Sequence, residues 1–160
     1  MSTPSIQELV RYADLQMAAE AFLVEDSGAL KARMDQALVA GNNHASRFTP
    51  TQAEAFLQEW EVVTQLPTTT TGFSGTLFRS KNTRELVISL RSTEFIDDYA
   101  RDNQATNNLE IRQTGYAWGQ LSDMVGWIEG LKRSLLPPGS PFTVTGYSLG
   151  GHLATARGRA

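Results

Sequence analysis

The chain has no cysteine among its 160 residues. Disulfides, thiolate metal sites and a cysteine nucleophile are therefore excluded. It also has no basic stripe: 14 Lys and Arg stand scattered against 17 Asp and Glu, for a net charge of −3. That balance argues against a nucleic-acid partner. No apolar run reaches the length that a membrane-crossing helix needs. The start, Met1-Ser2-Thr3-Pro4-Ser5-Ile6, has neither the basic region nor the apolar stretch of a secretory signal. These absences fit the cytoplasm as well as export by a downstream signal, so the compartment stays open. What is present is ordinary: 41% apolar and 19% charged residues suit a globular chain with a real core.

The first third reads as helical. Ser5-Ile6-Gln7-Glu8 is a capping box, and Ile6, Leu9, Val10, Ala13, Met17, Ala21 and Val24 follow helical spacing. This stripe is expected to face a core, and Ser27-Gly28 is expected to end the helix. Leu30, Met34, Ala37 and Leu38 mark a second helix, stopped at Gly41. Thr49-Pro50-Thr51-Gln52 starts a third, with Ala53, Phe56, Leu57 and Trp60 on its apolar face. His44, in a Gly-Asn-Asn-His stretch, reads as a cap or surface residue.

After Trp60 the period changes. Residues 62–66 look extended and stop at Pro67. Residues 73–79 and 85–91 flank Ser80-Lys81-Asn82-Thr83 as a hairpin, and Leu86, Val87, Ile88 and Leu90 suit a strand covered on both faces. Residues 94–103 read as a short polar helix, 103–108 as a loop, and 117–135 as a long amphipathic helix broken by Pro137-Pro138-Gly139. Strands, helix, helix, strand, helix is the order of an α/β domain with a mixed sheet. Neither a repeat nor a linker divides the chain. A helical segment at 1–59 packed on a core at 60–160 is the expected organisation.

The densest local signal is Thr143-Val144-Thr145-Gly146-Tyr147-Ser148-Leu149-Gly150-Gly151-His152. A strand runs into Gly-x-Ser-x-Gly and then into helix-forming residues. A serine on such a turn presents its hydroxyl to a substrate, and the flanking glycines permit the strained backbone. Acyl transfer by serine needs a nucleophile, a base and donors for the oxyanion. Ser148 is the candidate nucleophile, and the backbone N–H of Leu149 the first oxyanion donor. The second donor is expected from the loop after another central strand, here Arg91-Ser92-Thr93. Thr93 offers an amide and a hydroxyl; the competing role for Ser92 or Thr93 is to cap the helix that follows. Beside the elbow, the oxyanion role is the better reading.

Both segments resemble the class 3 lipase family of α/β-hydrolases. Thr143-Val144-Thr145-Gly146-Tyr147-Ser148-Leu149-Gly150-Gly151-His152-Leu153-Ala154 is similar to its nucleophile segment, and residues 86–102 to its oxyanion strand and following helix. The likeness covers roughly residues 60–156. It implies a partial α/β-hydrolase fold with a mostly parallel mixed sheet, preceded by amino-terminal helices. It further implies a serine carboxylic-ester hydrolase, a triacylglycerol lipase or related lipid esterase, that needs no cofactor or metal. Its partner would be a lipid or other ester. The helix at 94–102, Glu94 to Asp102, would be a lid, with Phe95, Ile96 and Tyr99 covering the acyl pocket or meeting lipid. Two positions depart from the family pattern: Tyr147 stands where histidine is frequent, and Ser92 where glycine is commoner.

The proton-handling half is not evident. The family order is serine, aspartate, histidine, yet only 12 residues follow Ser148, with His152 and no carboxylate. His152 lies a turn along the elbow helix and reads as a helix residue; Asp97 and Asp98 read as partners of a helix dipole. The closing Arg157-Gly158-Arg159-Ala160 breaks the apolar pattern. The expectation is a truncated or frame-shifted relative of a longer lipase, poorly soluble, with an exposed sheet edge. The alternative is a catalytically inactive hydrolase-like fragment or interaction module.

Overall fold

The computed structural model describes residues 5–43, 45, 47–92, 109–114, 117–146 and 148–157. His44, Thr93, the expected lid at 94–102, the loop at 103–108 and Tyr147 lie outside the described residues.

Local signals set the helix starts. The Ser5 hydroxyl accepts the Glu8 amide and the Glu8 carboxylate accepts the Ser5 amide, so α1 (Ile6–Glu20) begins on a complete capping box. Thr49 and Gln52 repeat the device for α3 (Pro50–Glu59), with Pro50 at its first position. Between them α2 (Met34–Ala40) stops at Gly41, as the sequence indicates.

Four strands follow: β1 (Trp60–Leu66), β2 (Gly75–Ser80), β3 (Leu86–Leu90) and β4 (Thr143–Gly146). They form one sheet in the order β1-β2-β3-β4. The first three make an antiparallel meander, and β4 joins β3 in parallel. The described sheet is thus mixed, and the expected mostly parallel character is seen in the β3–β4 pair alone. That pair is joined by a crossover that includes a helical stretch at 109–114 and α4 (Trp118–Ser134). The stretch at 109–114 was not expected from the sequence. After β4 comes α5 (Leu149–Arg157).

The sheet is covered on both faces. Leu15, Ala18 and Ala19 of α1, Leu38 of α2 and Ala53 and Phe56 of α3 pack on Trp60, Val62, Phe78 and Val87. On the other face Met124, Ile128 and Leu131 of α4 and Leu153 of α5 pack on Leu77, Ile88 and Leu90. Alternate residues of β3 therefore enter different cores, which explains its nearly continuous apolar run. Each large side chain so buried contributes about 1.5–3 kcal/mol.

The face that α1 buries differs from the expected one. Leu15, Ala18 and Ala19 are inside, whereas Ile6, Leu9 and Val10 are 80%, 55% and 55% exposed. The helix also ends at Glu20 rather than at Ser27-Gly28. Long-range bonds explain both differences. The Arg91 guanidinium donates to the carbonyls of Ala19 and Ala21, each at 3.1 Å, and stacks on the Phe22 ring. The Gln65 amide group donates to the Ala21 carbonyl and accepts the Leu23 amide, both at 2.9 Å. A cation at a partly buried helix end is worth up to about 2 kcal/mol. With its end pinned there, α1 lays its small residues against the sheet.

Beneath α1, Gln65, Thr76, Ser89 and Thr145 stand opposite one another across the four strands. Gln65 donates to the Thr76 hydroxyl at 2.9 Å, and Gln16 of α1 donates to the Thr145 hydroxyl at 2.7 Å.

Candidate active site

The elbow is built by close backbone approach. Leu90 of β3 and Gly146 of β4 are opposite each other in register, so the two strands end together. The chain then turns sharply enough that a side chain on Gly146 would overlap the Gly150 carbonyl group. One on Gly150 would overlap the Leu90 carbonyl and come within 3.0 Å of the Arg91 carbonyl oxygen. Both positions require glycine for space. In consequence, the first turn of α5 rests directly on the end of β3.

Ser148 occupies the apex of this turn. It is exposed, and its φ is +52°, in the left-handed region that non-glycine residues avoid. Holding serine there costs roughly 1–3 kcal/mol, and such strain collects at functional positions. Leu149 opens α5, so its amide belongs to the first-turn donors that have no acceptor within the helix. The positive end of the helix dipole lies at the same place.

Arg91 and Ser92 leave β3 beside this turn. Arg91 is buried, with its guanidinium on the end of α1 and on the Thr68 hydroxyl at 3.2 Å. The Ser92 amide donates to the Glu20 carboxylate at 2.8 Å. Thr93 itself is outside the described residues. The elbow and the loop that leads to Thr93 are therefore neighbours through Gly150, Leu90 and Arg91.

A third loop meets them. The Thr69 and Thr71 hydroxyls donate to the Asp123 carboxylate at 2.7 and 2.6 Å, and Gln120 donates to the Thr71 carbonyl at 3.0 Å. The first turns of α4 are thereby tied to the same end of the sheet. Exposed Trp118 and Phe22 sit at this end, 55% and 37% accessible.

Among the described residues the Ser148 hydroxyl has no hydrogen-bond partner, and His152 is the one histidine. The His152 amide donates to the Ser148 carbonyl at 3.1 Å, the ordinary bond of a first helical turn. Two cavities lie elsewhere. One of about 620 Å³ is lined by Arg84, Leu86, Ser140 and Phe142 near the start of β3 and β4. The other, of about 920 Å³, lies between α2 and α3, with Val39 and Leu57 in its wall. No cluster of three or more metal-ligating side chains occurs among the described residues.

The sequence singled out Ser148, Leu149 and Arg91-Ser92-Thr93 but not Glu20. A glutamate at a helix end gives no local sign that it is 3% exposed and bonded to an amide 72 residues away. Compared with family models, with curated proteins and with solved structures, the chain gives no match.

Proposed function

We propose that the chain carries the nucleophile half of a serine carboxylic-ester hydrolase built on an α/β-hydrolase core, acting on a lipid or related ester. The observation that carries this reading is the strained, exposed Ser148 at φ +52° between a parallel strand and a helix. The elbow presents the hydroxyl to an incoming carbonyl. The Leu149 amide, at the helix start, meets the oxygen as it gains charge, and Thr93 is the second donor. Glu20 and Arg91 hold the loop that leads to Thr93. The base that takes the Ser148 proton lies outside the described constellation. Exposed Phe22 and Trp118 suit contact with an apolar substrate or its interface; the segment 94–102, expected from the sequence to be helical, is the proposed lid.

A second reading is a hydrolase-like module without turnover. It is favoured by one observation, that Ser148 has no basic partner among the described residues.

A fluorophosphonate probe, mapped by mass spectrometry, separates the two. Slow labelling concentrated on Ser148, and lost in Ser148→Ala, is the expected result. Turnover of p-nitrophenyl esters by this chain alone should be close to zero. Labelling spread evenly over the serines, or none, would favour the second reading.

A further inference from the structure

We infer that the cavity of about 620 Å³ at the start of β3 and β4 binds a small organic anion, a monocarboxylate on a flat apolar body, with Arg84 as its counter-ion. The inference is independent of the hydrolase reading. Ser148 follows the ends of those strands, whereas the cavity lies at their beginnings.

Two turns wall this cavity, and each is closed by its own backbone. In the β2–β3 turn the Arg84 amide donates to the Ser80 carbonyl at 3.0 Å, and the Ser80 amide to the Glu85 carbonyl at 2.8 Å. Opposite it the Ser140 amide donates to the Pro137 carbonyl at 3.0 Å, around Pro138 and a Gly139 at φ +74°. Proline followed by a left-handed glycine is what a type II turn requires. Both walls therefore hold their shape without a ligand. Leu86, Leu135 and Phe142 supply apolar surface between them. The volume falls within the range of small-molecule sites, about 300–1,000 Å³.

The charges around the cavity do not balance. Arg79 commits its Nε and Nη2 to the Glu61 carboxylate, at 3.0 and 2.8 Å. Glu85, the one acidic residue in the lining, gives its carboxylate to Arg11 of α1 at 2.8 Å. Arg84 has no acceptor among the described residues. The Thr83 hydroxyl accepts the Glu85 amide at 3.4 Å and keeps its own proton to donate, as does the Ser140 hydroxyl. One unmatched guanidinium beside two hydroxyl donors fits a carboxylate. A phosphate monoester would call for a second free cation, and Arg79 is already paired.

The backbone adds an independent sign. Arg84 is held at φ +64°, where glycine or asparagine would sit with little strain. A long cationic side chain is thus kept at a strained position on the cavity wall, and such strain collects at ligand sites.

Fluorescence anisotropy of 2-naphthoate, titrated with the 160-residue chain, tests this directly. A dissociation constant on the order of 100 μM is expected, with neutral 2-naphthalenemethanol at least about fivefold weaker. Arg84→Gly removes the charge and relaxes the backbone in one change. It should bind naphthoate about fivefold more weakly, yet be at least as stable as the parent in a thermal melt. Leu135→Asp, at an exposed position, places a like charge in the apolar wall. It should weaken binding by a similar factor, with an unchanged circular dichroism spectrum. Absence of saturable binding, equal affinity for the alcohol, tighter binding of 2-naphthyl phosphate, or binding indifferent to both substitutions would overturn the inference.

Discussion

The amide of Ser92 donates to the carboxylate of Glu20 across 2.8 Å, joining the last residue of α1 to the loop beside the elbow. Glu20 is 3% exposed, so this bond has little competition from water. Glu20→Ala removes this bond from a part-buried amide, at a cost of about 1 kcal/mol. Glu20→Gln keeps an acceptor and should lose less. Urea unfolding of both variants measures the difference; equal losses would mean that packing, not the bond, is what Glu20 supplies.

Ser148 makes an opposite kind of prediction. Glycine accepts φ +52° without penalty, so Ser148→Gly removes strain and should raise stability. Set against the greater freedom of glycine in the unfolded chain, the net gain is roughly 0.5–1 kcal/mol. Ser148→Ala keeps the strain and should be nearly neutral. Both lose the hydroxyl and with it the phosphonate label. A thermal melt in which glycine brings no gain over alanine would show that the turn is not held under strain.

Asp14 gives a prediction in pH. Its carboxyl is pushed above the usual carboxylate range, first by burial and then by the like charge of Glu59. Its folded pKa therefore exceeds its unfolded one, and ionisation weighs against the fold. The penalty is complete above the folded pKa, fades as pH falls through it, and is gone below the unfolded value, near 4. Asp14→Asn should stabilise the chain at neutral pH by roughly a few tenths of a kcal/mol, after screening by solvent. Below about pH 3 the two proteins should unfold alike. A constant difference across that range would assign the effect to something other than charge.

Much of the architecture was legible in local chemistry. The Ser5–Glu8 and Thr49–Gln52 boxes, the turn at 80–83 and the proline break after α4 each declare themselves within a few residues. The elbow did too, because Gly146, Ser148 and Gly150 are close in sequence. The face that α1 buries was not legible. Ile6, Leu9 and Val10 form the more apolar stripe, but Arg91 and Gln65 decide the matter by binding the helix end from 42 to 72 residues away. Glu20 was hidden for the same reason. The helical stretch at 109–114 was missed because the polar run before it reads as a loop, although Asn107 followed three residues on by Glu110 is a helix-start signal. The sheet was expected to be mostly parallel by family likeness, whereas β2 and β3 follow the hairpin signal that the sequence also held, and β1 adds to β2 antiparallel without one.

The row formed by Gln65, Thr76, Ser89 and Thr145 has a consequence for how the chain finds its fold. It crosses all four strands under α1, one residue per strand. A strand that slipped by a single residue would turn its member of the row into the opposite layer, among Leu77, Ile88 and Leu153. There Gln65, Thr76 and Thr145 would lose the partners they have in register, whereas the buried Ser89 hydroxyl has none among the described residues in either register. The row thus works as an alignment mark: a mispaired sheet is penalised when the helices close over its faces.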